Sequence, residues 1–225
     1  ASMGKAISKR LIWNRTRMSP TDFSEATGYG VAFLTNKAAG ELSMAPESSR
    51  VVIQGFGNVG SHTAINLAKM GIKVIVLADV HGGVICEAGI NVATALEYVD
   101  KTGSLYNLPG TEAISNDESA IKAKLIVEAA NMADENLRQR GIVIVPDLLA
   151  NAGGVLVSYY EWAQNLQQFP WDRDTVLQRL EQRLANVYDT VQNLSLEHQV
   201  DLRKAAYELA IKRVANAISL RGFRG

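Results

Sequence analysis

The chain has 225 residues, long enough to bury a core, and its 23 basic and 23 acidic side chains cancel. A zero net charge offers no basic surface for nucleic acid and no attraction to an acidic membrane, so neither is expected as a partner. Cys86 is the single cysteine, which excludes an internal disulfide framework and a multi-cysteine metal site and fits a reducing compartment. With no apolar run near the ~20 residues of a membrane span and no secretory h-region, a soluble cytoplasmic protein is expected.

Residues 4–14 mix bases with Ile7, Leu11, Ile12 and Trp13, as an N-terminal arm or one short amphipathic helix does. Pro20 to Glu25 reads as a turn. Val31, Phe33, Leu34, Ala38 and Leu42 give Thr27 to Ser43 the spacing of a helix with one buried face. Val51 to Gln54 is a short β-branched run, Val59 to Met70 is amphipathic, and Lys73 to Ala78 is a second strand ending at Asp79; together they form a βαβ unit. His81-Gly82-Gly83 reads as a turn, and Asn91 to Lys101 as a helix closed by Gly103. Leu125 to Val127 and Ile142 to Val145 are further strands, separated by a helix over Asp134 to Arg140. Gly154 to Asn165, Thr175 to Leu194 and Leu202 to Leu220 are predicted helices. In the second, Val176, Leu180, Leu184, Val187, Val191 and Leu194 form a packing stripe.

Strands alternating with helices predict an α/β fold: a doubly wound, mostly parallel Rossmann-type sheet with C-terminal helices. Residues 1–25 are expected to be an arm or short helix. Residues 26–225 are expected to form one dinucleotide-binding domain that includes the last helices, which no linker sets apart.

The βαβ unit carries the chemistry. Gly55, Phe56, Gly57, Asn58, Val59 and Gly60 follow the first strand and open the helix. In such a loop Gly55 permits the tight turn, Gly57 lets the backbone approach a pyrophosphate, and Gly60 lets the helix lie close on the strand. Free N–H groups and the positive end of the helix dipole then face the phosphates. Asp79, nineteen residues beyond Gly60 and followed by Val80, stands where a carboxylate accepts both hydroxyls of an adenosine ribose. This favours NAD. His81 is close enough to approach a 2′-phosphate, which keeps NADP open. No pair among the histidines has metal-ligand spacing, so no metal is expected.

Ala26-Thr27-Gly28-Tyr29-Gly30-Val31, Gly55 to Gly60, Pro146 to Val155 and Val157-Ser158-Tyr159-Tyr160-Glu161-Trp162 resemble the cofactor-binding domain of the glutamate dehydrogenase family. Leu202 to Tyr207 and Arg221-Gly222-Phe223 resemble the family's closing helix. The resemblance implies that Gly55 to Gly60 hold the pyrophosphate and Asp79 the adenosine ribose. By the same resemblance, Thr27 and Asn151 flank the nicotinamide amide, and Ala130 and Asn131 lie near the nicotinamide ribose. Val155 is implied to touch the aliphatic part of an amino acid and Ser158 to donate to its side-chain carboxylate, favouring glutamate. Taken singly, Asn151 reads as a helix cap and Ser158 as a solvent-facing serine. Trp162 and Trp171 are expected to pack between the late helices.

The sequence departs from the family in two places. The family's glycine-rich lysine motif, which supplies a catalytic lysine from an N-terminal domain, does not occur, so no catalytic residue is assigned. Between Glu118 and Ile121 only Ser119 and Ala120 stand where the family has a further strand, a turn and a helix, and a few residues are absent after Asn131. Either the sheet lacks a mid-sheet strand or a longer chain supplies it. The expected function is therefore that of an NAD(P)-dependent glutamate dehydrogenase, interconverting glutamate with 2-oxoglutarate and ammonia, represented by its cofactor domain and inactive alone, in a homo-oligomer. The alternatives are a non-catalytic dinucleotide-binding or interaction module and a related amino-acid dehydrogenase or another nucleotide-binding oxidoreductase.

Overall fold

A computed structural model describes residues 23–115, 123–129 and 141–222. In chain order the elements are α1 (Phe23–Glu41), β1 (Arg50–Gln54), α2 (Asn58–Lys69), β2 (Lys73–Asp79), β3 (Gly82–Ile85), α3 (Val92–Thr102), β4 (Glu112–Ile114), β5 (Leu125–Val127), β6 (Val143–Val145), α4 (Asp147–Ala150), α5 (Ala152–Gln167), α6 (Arg173–His198) and α7 (Leu202–Arg221). The expected α/β architecture with C-terminal helices is present. The helix expected over 134–140 lies outside the described residues.

The parallel pairs are β1 with β2 and β5 with β6. Beyond β2 the sheet continues antiparallel through β3 and β4, in the order β1-β2-β3-β4. His81-Gly82-Gly83, expected as a turn, instead contains the start of β3: Asp79 pairs with Gly82, so Val80 and His81 alone make the connection. Glycine suits this strand because a Cβ on Gly83 would press on the Ile114 side chain at 2.8 Å. Among the described residues β1 has β2 as its only strand partner and β5 has β6, so the sheet is in two pieces. β1 is mostly exposed or half-buried while β2 is buried at Val74 to Ala78.

Two cores flank α1. Ala32 joins Ile53, Phe56, Leu67, Val74 and Leu77 around the first sheet. Ala26, Leu34 and Ala38 join Val145, Val157, Leu180, Leu184, Tyr188 and Val191 among the later helices. α1 begins four residues before the predicted start, so Phe23 to Glu25 are helical rather than a turn. The α6 stripe packs as expected, with Tyr188 added. Caps set several ends: Asn91 accepts from Thr94 N at 3.1 Å and Gly103 closes α3 with φ 80°, while Asp172 and Asp201 cap α6 and α7.

The α1–α6 seam carries two phenols, Tyr29 half-buried and Tyr188 buried. The Tyr29 hydroxyl donates to Glu181, and that of Tyr188 donates to Glu41 Oε2 at 3.1 Å. Burial first, and then the adjacent carboxylates, push both phenols well above the ordinary tyrosine range. A group whose pKa is raised on folding stabilises fully below its unfolded value, about 10 for tyrosine, and that stability is lost as pH rises beyond it. Alkaline titration followed by circular dichroism should therefore show unfolding that begins above about pH 10 and moves to higher pH in Tyr29→Phe.

Candidate dinucleotide site

The glycine loop follows the carboxyl end of β1 and divides its work among three residues. Gly55 holds φ +93°, a left-handed conformation that β-carbons resist. A Cβ on Gly60 would stand 1.9 Å from Gly55 O, so only glycine lets α2 lie this close on the turn. A Cβ on Gly57 would meet nothing within 4 Å, and Gly55, Gly57 and Asn58 are exposed. Gly57 is also the N-cap of α2 and no side chain caps that helix. The result is an open cradle over a helix N-terminus, the arrangement that suits a pyrophosphate.

Phe56 enters differently from its neighbours. Its ring is buried at 7 % exposure in the first core, and its N–H, like that of Gly55, donates to Ala78 O at 2.9 Å. Those two amides tie the loop to β2 and are committed to it. The donors facing the cradle come from Gly57 onward.

Asp79 ends β2 beside the same cradle. Its Oδ1 accepts from His81 N at 2.7 Å, and its Oδ2 accepts from Leu105 N at 2.7 Å and from Ser104 Oγ at 3.1 Å. Partial burial pushes this carboxyl upward, and the donors, Leu105 first, outweigh it and hold it below the usual carboxylate range. Val80 is 91 % exposed at the hairpin tip. The Ser104–Leu105 contact lies 25 residues downstream and had no signal in the sequence.

Helices α1, α2 and α5 approach one another through their glycines. A Cβ on Gly28 would stand 2.5 Å from His62 Cβ and 2.8 Å from Val59 O, and one on Gly153 would stand 2.4 Å from Ala26 O. The glycines of the Ala26 to Val31 stretch thus let α1 press against both α2 and α5. Thr27, the residue after Ala26, is buried, and Asn151 stands two residues before Gly153 at the joint of α4 and α5. The Asn151 side chain makes no capping hydrogen bond, so the capping role that its position alone suggests is absent. Ala130 and Asn131 lie outside the described residues. Val155 and Ser158 are both exposed, one helical turn apart on α5. Trp162 shares that surface at 56 % exposure with its ring 5.8 Å from Tyr159, so it does not pack between the late helices. Trp171 does, against Tyr160 and under the Arg179 guanidinium.

One cluster went unrecognised in the sequence. Glu128, buried at the end of β5, is ion-paired with Arg203 of α7, whose other Nη donates to Asp147 Oδ1 at 3.0 Å. Asp147 N also donates to Glu128 at 3.3 Å. This triad fixes the closing helix to the segment that leads toward Ala130 and Asn131. Among the described residues no group of three or more His, Cys, Asp or Glu side chains is placed to hold a metal. No helix among them is long and apolar enough to cross a membrane.

The glutamate/leucine/phenylalanine/valine dehydrogenase family model matches residues 20–120 and 111–222. The chain belongs to this family. The two matched segments overlap over residues 111–120. Family relatives include the NAD-specific glutamate dehydrogenase of Clostridioides difficile, 37 % identical over 88 % of this chain and 55 % of that protein. The NADP-specific glutamate dehydrogenase of Saccharolobus shibatae is 40 % identical over 88 % of this chain and 54 % of that protein. The crystal structure of the Peptoniphilus asaccharolyticus enzyme superposes with a TM-score of 0.79 at 34 % identity, covering 90 % of this chain and 54 % of that one. The chain thus spans about half the length of the curated relatives it matches.

Proposed function

We propose that this chain is the cofactor-binding portion of an NAD(P)-dependent glutamate dehydrogenase, with residues 26–225 as the dinucleotide-binding domain, joined by Phe23 to Glu25 of α1, and the residues before them as an arm or short helix. The observation that carries this reading is the glycine loop, in which Gly57 leaves open space over an uncapped helix while Gly60 is pressed against Gly55. Gly57 to Gly60 take the pyrophosphate, and Asp79 takes the adenosine ribose with Val80 beside it. Thr27 and Asn151 take the nicotinamide amide, and Ala130 and Asn131 its ribose. The glycine loop follows the carboxyl end of β1 and Asp79 ends the parallel β2, where open α/β sheets bind ligands. NAD is the preferred cofactor, since an ionised Asp79 accepts ribose hydroxyls and repels a 2′-phosphate; NADP, used by some relatives, is second.

The cofactor, when bound, accepts a hydride from the amino-acid Cα. Val155 and Ser158 face the amino acid across the exposed side of α5, where the hydroxyl supplies a donor that a carboxylate needs once desolvated. Loss of the amine proton requires a positioned base, and the family's lysine motif is not in this sequence. The purified chain is therefore expected to bind NADH yet to form none from glutamate and NAD. Turnover linear in chain concentration and abolished by Gly57→Val would contradict this.

Val155, Tyr159, Trp162, Leu166 and Phe169 are all more than half exposed along α5 and its end. A patch of this kind favours association, and a homo-oligomer in the cytoplasm, without nucleic acid or membrane, fits it together with the single cysteine. A non-catalytic dinucleotide-binding or interaction module is the second reading, favoured by a sheet that is in two pieces among the described residues.

A further inference from the structure

We propose that Ser104 is a specificity-determining positioning residue, which locks the Asp79 carboxylate in place so that it cannot turn aside for a 2′-phosphate. This inference rests on the dinucleotide reading above. A carboxylate that ends a β-strand is often free to change rotamer, but Asp79 is held on both oxygens, Oδ1 by His81 N and Oδ2 by Leu105 N and Ser104 Oγ. The Ser104 hydroxyl has little choice of direction. Its oxygen accepts from Tyr106 N at 3.1 Å, which turns its own proton toward Asp79, and its carbonyl accepts from Thr102 Oγ1 at 2.9 Å. The turn itself is anchored, because Leu105 and Leu108 are buried at 1 % and 3 % exposure in the first core.

Two consequences follow for the ligand. With Oδ2 already accepting two protein hydrogen bonds, the carboxylate cannot take both ribose hydroxyls without giving one up, so its preference for NAD comes in large part from the fixed negative charge that repels a 2′-phosphate. A 2′-phosphate beside that charge is relieved only if Asp79 swings away, and the swing breaks the bonds to Ser104 and Leu105. Releasing the Ser104 bond lowers the cost of that motion for NADPH and does nothing comparable for NADH.

The test is the ratio of NADPH to NADH dissociation constants, measured by calorimetry on the full chain. Ser104→Ala is expected to lower the ratio by about three- to tenfold, the size of one charge-assisted hydrogen bond partly recovered. Ser104→Thr, which keeps the hydroxyl, should hold the wild-type ratio. A merely structural role would weaken both dinucleotides in parallel, and an unchanged ratio in Ser104→Ala overturns the proposal, as does a wild type that prefers NADPH. If the wild type binds neither dinucleotide, the cofactor reading itself falls. If it binds NADH and Gly57→Val does not, while Ser104→Ala keeps the ratio, only the lock is wrong.

Discussion

Gly60→Ala is expected to unfold the domain or cost it roughly 3–5 kcal/mol, while Gly57→Ala at the same loop should be nearly neutral. The two glycines differ in what surrounds them. The added methyl at Gly60 would stand 1.9 Å from the Gly55 carbonyl oxygen, whereas the methyl at Gly57 would point into open space. Relief at Gly60 is not a matter of a side chain moving aside, because the obstacle is backbone. Gly55 is held by its own N–H on Ala78 O, and Gly60 sits in the first turn of α2, whose Ala64 and Leu67 are core. Shifting α2 away from β1 would open that core, and a domain with a net stability of about 5–15 kcal/mol has little margin for it. Urea unfolding of both variants checks the contrast. Equal midpoints would show that the helix does not depend on close approach at Gly60.

Arg203→Leu is the second large effect, expected to cost about 3–5 kcal/mol. The Glu128 side chain is 4 % exposed and its charge is answered by Arg203, with Asp147 at 16 % exposure sharing the guanidinium. Removing the guanidinium takes away the cation that answers a carboxylate with little access to water. Replacing both members, Arg203→Leu with Glu128→Leu, should recover most of the loss, because a buried ion pair roughly cancels its own desolvation while a lone buried charge does not. A loss below about 1 kcal/mol in Arg203→Leu, the range of an exposed pair, would mean that Glu128 finds water or another partner. The effect should also reach the site, since this triad holds the chain just before Ala130 and Asn131.

Where function and local geometry coincide, the sequence was readable. The βαβ unit from Val51 to Asp79 could be recognised because glycine, β-branched and acidic residues each answer a separate backbone or charge requirement within thirty residues. The Gly103 end of α3 and the stripe of α6 were legible for the same reason, since both depend on spacing along one helix. What depends on contacts across the fold was not. Gly82 and Gly83 read as a turn because glycine marks turns more often than strands, yet here the space beside Ile114 requires it. Phe56 sits in a cofactor motif, but its ring serves the core. The Ser104–Asp79 and Arg203–Glu128 pairs join residues 25 and 75 apart, a separation no periodicity reveals. α7 shows the limit most plainly: Ala205 and Ala206 are buried as an amphipathic helix predicts, but Tyr207, Ile211, Val214 and Ile218 farther along are exposed.

The most direct measurement is a calorimetric titration of NADH into the purified wild-type chain and into Gly57→Val. Saturable binding of one NADH per chain, lost in Gly57→Val at unchanged thermal stability, is the expected result. It follows from a cradle that takes the pyrophosphate only while position 57 carries no side chain. Binding that persists in Gly57→Val, or no binding by a folded wild type, would contradict the assignment of this chain as a dinucleotide-binding domain.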